Sequence, residues 1–135
     1  MKSKLILTVA FLLFFSAGFA SAQQSAQPIK ETDLVEVTQA EKMSAQGALL
    51  LDVREQDEYD AIHAPDAKLI PLGQLSSRLA DIADFKDKPV VVICRSGKRS
   101  LKAVSILQEN GFSHAGSVSG GMIAWEDAGL PVIKK

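Results

Sequence analysis

The sequence predicts an α/β domain with a mostly parallel central sheet and helices on both faces. Three observations carry that prediction. Two apolar runs, Ala48–Val53 with one acid near its end and Val90–Ile93, have strand length and little polar alternation, the pattern of strands covered on both sides. Other segments place their apolar residues at helical spacing. The two kinds of segment alternate along the chain, the order that gives parallel strands joined by helical crossovers.

The N-terminus is read first as an address. Lys2 and Lys4 precede an apolar stretch from Leu5 to Phe15, and Ser16–Ala22 ends in Ala20-Ser21-Ala22. A positive start, a short apolar middle and a small-residue end describe a secretory signal peptide over residues 1–22. An uncleaved anchor is the alternative, but the run falls short of the roughly 20 residues of a membrane span. No cysteine follows Ala22, so a lipoprotein-type anchor is not indicated. The expectation is a periplasmic or secreted protein with no stable membrane anchor after cleavage. Removing 22 of 135 residues leaves 113, the size of one domain with a real core. Loss of Lys2 and Lys4 leaves 13 basic against 16 acidic residues, which argues against nucleic acid as the main partner.

Residues 23–33, polar with Pro28, are expected to form a flexible tail, and 34–135 the domain. Leu34-Val35-Glu36-Val37 alternates like an edge strand. Thr38, with Glu41 three positions on, makes a capping-box pattern for a helix to about Ala45, stopped at Gly47. After the Ala48–Val53 strand, the charged segment Arg54–Ala61 reads as a loop with a short helix. Lys68-Leu69-Ile70-Pro71 is a short strand ended by its proline. Leu75, Leu79, Ile82 and Phe85 then predict one amphipathic helix over Gln74–Asp84. Lys88-Pro89 turns into the Val90–Ile93 strand. Leu101, Val104, Ile106 and Leu107 give a helix from about Ser100 to Asn110, ended by Gly111. Ala115–Val118 reads as the last strand, and Met122–Ala128 as a short helix closed by Gly129 and Pro131.

The chemistry converges on Cys94, the one cysteine of the chain. It directly follows the Val90–Ile93 strand and opens the loop Arg95-Ser96-Gly97-Lys98-Arg99-Ser100. A single cysteine in an exported chain points to a reactive thiol or an intermolecular bond. A buried, inert thiol is the ordinary alternative; the polar, cationic loop favours reactivity. Ligands of open parallel sheets bind beyond the carboxyl ends of the strands. Amides from Arg95 to Ser100 precede or begin a helix and are free to point inward. Gly97 lets the backbone curl into a cup of N–H groups. That cup, the helix dipole and the nearby cations favour thiolate over thiol. Arg95, Lys98 and Arg99 together suit a small anion.

Two chemistries use such a loop: thiolate attack on phosphorus and thiolate attack on sulfur. A phosphatase loop has cysteine, five residues, then arginine. Here Ser100 holds that arginine position and Arg99 comes one residue early. The shorter loop makes a smaller cup, matched to a single sulfur atom. Elsewhere, Asp52 ends a neighbouring strand and is expected to support the loop by hydrogen-bonding its amides. Arg54, also a support residue, is four positions from Glu58 and is read as its ion-pair partner. His63 is read as structural, His114 as a turn residue and Trp125 as a core anchor. Two histidines and one cysteine make no metal site, and no cofactor is called for.

CRSGKRS after an apolar strand resembles the active loop of the rhodanese (thiosulfate sulfurtransferase) family, Cys-Arg-x-Gly-x-Arg. LLLDVREQDEYDAIHAPDAKLIPLGQL is similar to the family's Asp-Val-Arg-Glu segment, and SVSGGMIAWEDAGLPV to its Gly-Gly-x-x-Ala-Trp ending. One departure stands out: Ile62-His63-Ala64-Pro65-Asp66-Ala67 replaces Gly-His-Ile-x-Gly-Ala, so both glycines are missing. The resemblance implies a single rhodanese-like domain with Cys94 as nucleophile. Cys94 would take a sulfane sulfur from thiosulfate or a persulfide and pass it to cyanide, a small thiol or a protein thiol. The loop from Arg95 through Ser96, Gly97, Lys98 and Arg99 to Ser100 would bind the anionic donor. Two alternatives stay open: a non-catalytic sulfur-carrier or partner-binding module of the same fold, and a cysteine phosphatase or arsenate-reducing relative.

Overall fold

The two apolar runs lie side by side at the centre of the sheet. In the computed structural model, which describes residues 33–135, they form β2 (Leu49–Asp52) and β5 (Val90–Ile93), paired in parallel. The expected signal peptide, and the expected tail up to residue 32, lie outside the described residues. Strand β1 (Leu34–Val35), β4 (Lys68–Leu69) and β6 (Ala115–Val118) complete a five-stranded sheet in the order β1-β6-β5-β2-β4. All four pairings are parallel, as the alternation of elements requires. The expected edge strand is at the edge, but it ends at Val35.

Every residue of β2 and β5 is buried, and successive side chains go to opposite faces. On one face Leu49, Leu51, Val90 and Val92 pack with Ala103, Val104 and Leu107 of α4 (Lys98–Glu109) and with Phe112. On the other, Leu50, Val91 and Ile93 pack with Val37 and Ala40 of α1 (Val37–Ala45) and with Met122 and Trp125 of α5 (Gly121–Asp127). Two faces covered by helices explain why neither strand shows polar alternation. Trp125 is 1% exposed and its indole N–H donates to the Pro131 carbonyl at 2.9 Å, the anchor role expected of it.

Four local expectations are corrected. Helix α1 begins at Val37, with Glu36 at the N-cap and no side-chain cap bond; Val37 turns into the core and draws Thr38 into the helix. The capping box belongs instead to α2 (Gln56–Ala61), between Glu55 and Glu58. The single helix expected over Gln74–Asp84 is split into α3 (Leu72–Leu75) and a 3-10 segment, Leu79–Phe85, kinked at Ile82. There Ser77 Oγ bonds the Gln74 carbonyl, a side-chain partner that competes with the helical ladder, and Arg78 leaves the helical region at φ −119°. Leu75 and Ile82 are still buried, so the spacing marked the right inward face. Finally, Ala115–Val118 is not the last strand. Strand β7 (Ile133–Lys134) pairs antiparallel with β3 (Ile62–His63) in a separate two-stranded sheet.

The segment lacking both glycines has a plain backbone account. Ile62 is extended at φ −160° and ψ 133°, a conformation any residue adopts. Asp66 has φ +62°, a left-handed conformation that aspartate is among the residues to tolerate. His63 stacks on Tyr59, with ring centroids 3.9 Å apart, and its Nδ1 lies 2.8 Å from the Tyr59 carbonyl, consistent with a structural role.

Candidate active site

Strand β5 is the middle strand of the sheet and delivers Cys94 to its carboxyl end, 1% exposed. Gly97 follows at φ +101°, a left-handed conformation that reverses the chain within three residues and starts α4 at once. The helix therefore begins at Lys98, two residues earlier than its apolar spacing indicated. The reversal points the Gly97 N–H back at the sulfur, 3.1 Å from Sγ. Ser100 Oγ lies 3.5 Å from the same atom.

These contacts set the acidity of the thiol. Burial pushes the Cys94 pKa up, yet the Ser100 hydroxyl and the amides of Ser100, Gly97 and Ser96 together outweigh it. The net direction is down, toward thiolate. The cup of N–H groups expected from the sequence is present, and it is aimed at sulfur.

The back of the loop is held by backbone alone. Met122 N–H donates to the Cys94 carbonyl at 2.8 Å, and Ile123 N–H to the Arg95 carbonyl at 3.1 Å. Gly121, at φ +56°, permits this approach: a Cβ there would run into both carbonyls. The loop amides face the sulfur while their carbonyl neighbours are gripped by the start of α5.

The three loop cations have separate environments. Arg99 forms a two-pronged ion pair with Glu58, Nη1 to Oε2 at 2.7 Å and Nη2 to Oε1 at 2.8 Å. The Arg99 bond, first among its causes, holds the Glu58 carboxyl at about 2, well below the ordinary carboxylate range. Glu58 also accepts from the Glu55 amide at 2.9 Å. Arg99 is thus committed to α2 and is not a free anion-binding charge. Arg95 and Lys98 are exposed and have no ion-pair partner among the described residues. Ser96 is exposed beside them.

Asp52 and Arg54 support the site differently from expectation. Asp52 does not bond the loop amides. It accepts from the Arg54 amide, Nε and Nη2 at 2.8–3.1 Å, with both side chains buried. The held guanidinium bonds the carbonyls of Ile62 at 2.7 Å and Glu58 at 3.3 Å, not the Glu58 carboxylate. A buried charge requires this degree of partnering. Arg54 thereby ties the end of β2 to α2 and β3, which form one wall of a groove of about 230 Å³ running past Arg95, Met122, Ile123 and Glu126.

Sequence reasoning missed Glu58 as the partner of Arg99, 41 positions away, because pair spacing on one helix says nothing about a distant element. It also missed Ser117, fully buried, with Oγ 2.7 Å from Ser100 Oγ. The signal available was a hydroxyl within an otherwise apolar strand.

Comparison with known proteins bears on the same geometry. A family model for the rhodanese-like domain matches residues 36–128. The sulfurtransferase of Allochromatium vinosum is 38% identical over 85 residues, 63% of this chain and 78% of that protein. Thiosulfate sulfurtransferase GlpE of Pseudomonas savastanoi pv. phaseolicola is 38% identical over 87 residues, 64% of this chain and 80% of its own. Among solved structures, the human single-domain sulfurtransferase TSTD1 aligns with a TM-score of 0.64 at 28% identity, covering 70% of this chain and 96% of that one. The family match takes in every strand of the main sheet except β1, together with the whole cysteine loop, and the chain belongs to the rhodanese-like domain family.

Proposed function

We propose that this protein is an exported sulfurtransferase that carries a sulfane sulfur as a persulfide on Cys94. The observation that carries the reading is the Gly97 N–H, 3.1 Å from a buried Sγ, in a loop that also carries the exposed cations Arg95 and Lys98, neither with an ion-pair partner among the described residues. With thiosulfate as donor, the Cys94 thiolate attacks the outer sulfur, the sulfur–sulfur bond breaks, and sulfite leaves with the electron pair. The negative charge then rests on the terminal sulfur of the persulfide, where the amide cup stabilises it. An acceptor (cyanide, a small thiol or a protein thiol) attacks that terminal sulfur and releases the Cys94 thiolate. Arg95 and Lys98 are the groups that hold the oxyanion of the donor, while Arg99 acts by fixing the loop to α2. Thiosulfate as donor is supported by the named activity of the Pseudomonas relative, and export by the leader pattern over residues 1–22.

Chain lacking residues 1–22 is expected to gain one sulfur in intact mass after thiosulfate treatment, and to convert cyanide to thiocyanate. Cys94→Ser abolishes both. A persulfide that forms without turnover would recast the protein as a sulfur carrier; no added sulfur and no turnover would sink the proposal. Recovery of the mature chain beginning at Gln23 from an exported fraction tests the location.

A further inference from the structure

Ser117 has no role in the sulfur-transfer scheme above, yet its placement costs something. It sits on the same face of β6 as Ala115, turned toward α4, in a layer otherwise built from Ala115, Val90 and Val92. A buried hydroxyl is unfavourable there unless it is hydrogen-bonded, and alanine already fills the neighbouring position on that face. Its side chain is fully buried and bonds one group among the described residues, Ser100 Oγ at 2.7 Å.

Counting protons gives that bond a direction. Ser100 has one hydroxyl proton and three neighbours: the Gly97 carbonyl at 3.0 Å, Ser117 Oγ at 2.7 Å and Cys94 Sγ at 3.5 Å. If Ser100 donated to Ser117, the Ser117 proton would be left without an acceptor among the described residues, and the sulfur would lose its hydroxyl donor. If Ser117 donates to Ser100, both hydroxyls are satisfied, and the Ser100 proton is left to choose between the Gly97 carbonyl and sulfur. A neutral thiol can donate to Ser100 Oγ while Ser100 serves the carbonyl. An anionic sulfur draws the Ser100 proton to itself, and a donor arriving at Oγ strengthens that bond.

We infer that Ser117 is a positioning residue for the nucleophile, donating to Ser100 Oγ so that the Ser100 proton is available to the anionic sulfur of Cys94. Ser100 heads the influences that hold the thiol pKa down against burial, in keeping with a chain of donors ending on sulfur. The inference rests on Cys94 as the reactive thiol and is independent of which atom that thiol attacks.

The test is a titration of thiolate ultraviolet absorbance against pH, paired with rates of alkylation by iodoacetamide. Cys94 is the chain's one cysteine, so both signals report it alone. Ser117→Ala is expected to raise the midpoint by about half a pH unit, slowing alkylation roughly three-fold below the midpoint. Rates on the alkaline plateau stay unchanged. Ser117→Thr restores the midpoint, and Ser117→Ala adds nothing in a Ser100→Ala background. An unmoved midpoint in Ser117→Ala, a loss of rate equal at every pH, or a threonine that fails to restore would each overturn the inference. Failure of the wild-type protein to take up sulfur, with these shifts intact, would remove the proposed function and leave Ser117 where it is placed.

Discussion

Gly121 shows how much of this site depends on what a residue lacks. With φ at +56° and the Cys94 and Arg95 carbonyls occupying the place a Cβ would take, it admits no side chain. The left-handed conformation alone costs a non-glycine residue about 1–2 kcal/mol, and displacement of the loop adds to that. Gly121→Ala is therefore expected to lower unfolding free energy by at least about 2 kcal/mol, read by denaturant titration. It should also slow alkylation of Cys94, because the amides that cradle the sulfur move with the carbonyls behind them. A variant with wild-type stability and wild-type thiol reactivity would refute this account. Residues of this kind were half visible beforehand. The paired glycines stood out in SVSGGMIAW, but that they press against a loop some 26 positions earlier becomes visible only in three dimensions.

Helix α4 carries Lys98 and Arg99 in its first turn, where the positive end of the helix dipole disfavours cations. Such a conflict between local preference and position is characteristic of functional sites. At Arg99 it is offset by the Glu58 carboxylate on α2; at Lys98 it is left standing beside the sulfur cup. The sign of the pH effect follows from Glu58. Its carboxyl is lowered from 4.5 to about 2 in the folded protein, so its contribution to stability is complete above about pH 4.5 and is lost as pH falls toward 2. Glu58→Gln should flatten the fall in unfolding free energy between those limits, compared with wild type by denaturant unfolding at several pH values. An unchanged acid limb would show that the pair contributes nothing. The elements themselves were read unevenly. Long apolar runs and the spacing of α4 marked their elements to within two residues. The split between α3 and the 3-10 segment was hidden, because Leu75 and Ile82 face inward whether or not the helix between them is continuous.

One sheet shared by two apolar layers makes the described residues a single cooperative unit. Trp125 anchors the layer opposite α4, so Trp125→Ala is expected to cost about 3–5 kcal/mol. That is a large share of the roughly 5–15 kcal/mol a domain possesses. Far-ultraviolet and near-ultraviolet circular dichroism should still report one transition, shifted together; two separated transitions would show that the layers unfold independently. At this scale the sequence was most informative. Parallel order, the buried central strands and the position of the cysteine loop all follow from apolar runs alternating with helical spacing. The small β3–β7 sheet escaped because two-residue strands leave no periodic trace, and the Arg99–Glu58 pair escaped because nothing local joins its partners.

The grip of α5 on the loop also has a consequence in time. Cys94 and its amides are complete in the chain well before Gly121, Met122 and Ile123 are made, and a polypeptide emerging from its N-terminus presents the thiol before it presents the clamp. Until those residues have arrived and docked, the Cys94 and Arg95 carbonyls lack the amide partners that hold the loop from behind. The backing of the thiol loop is thus supplied by residues 121–123, which enter the chain after the loop and α4.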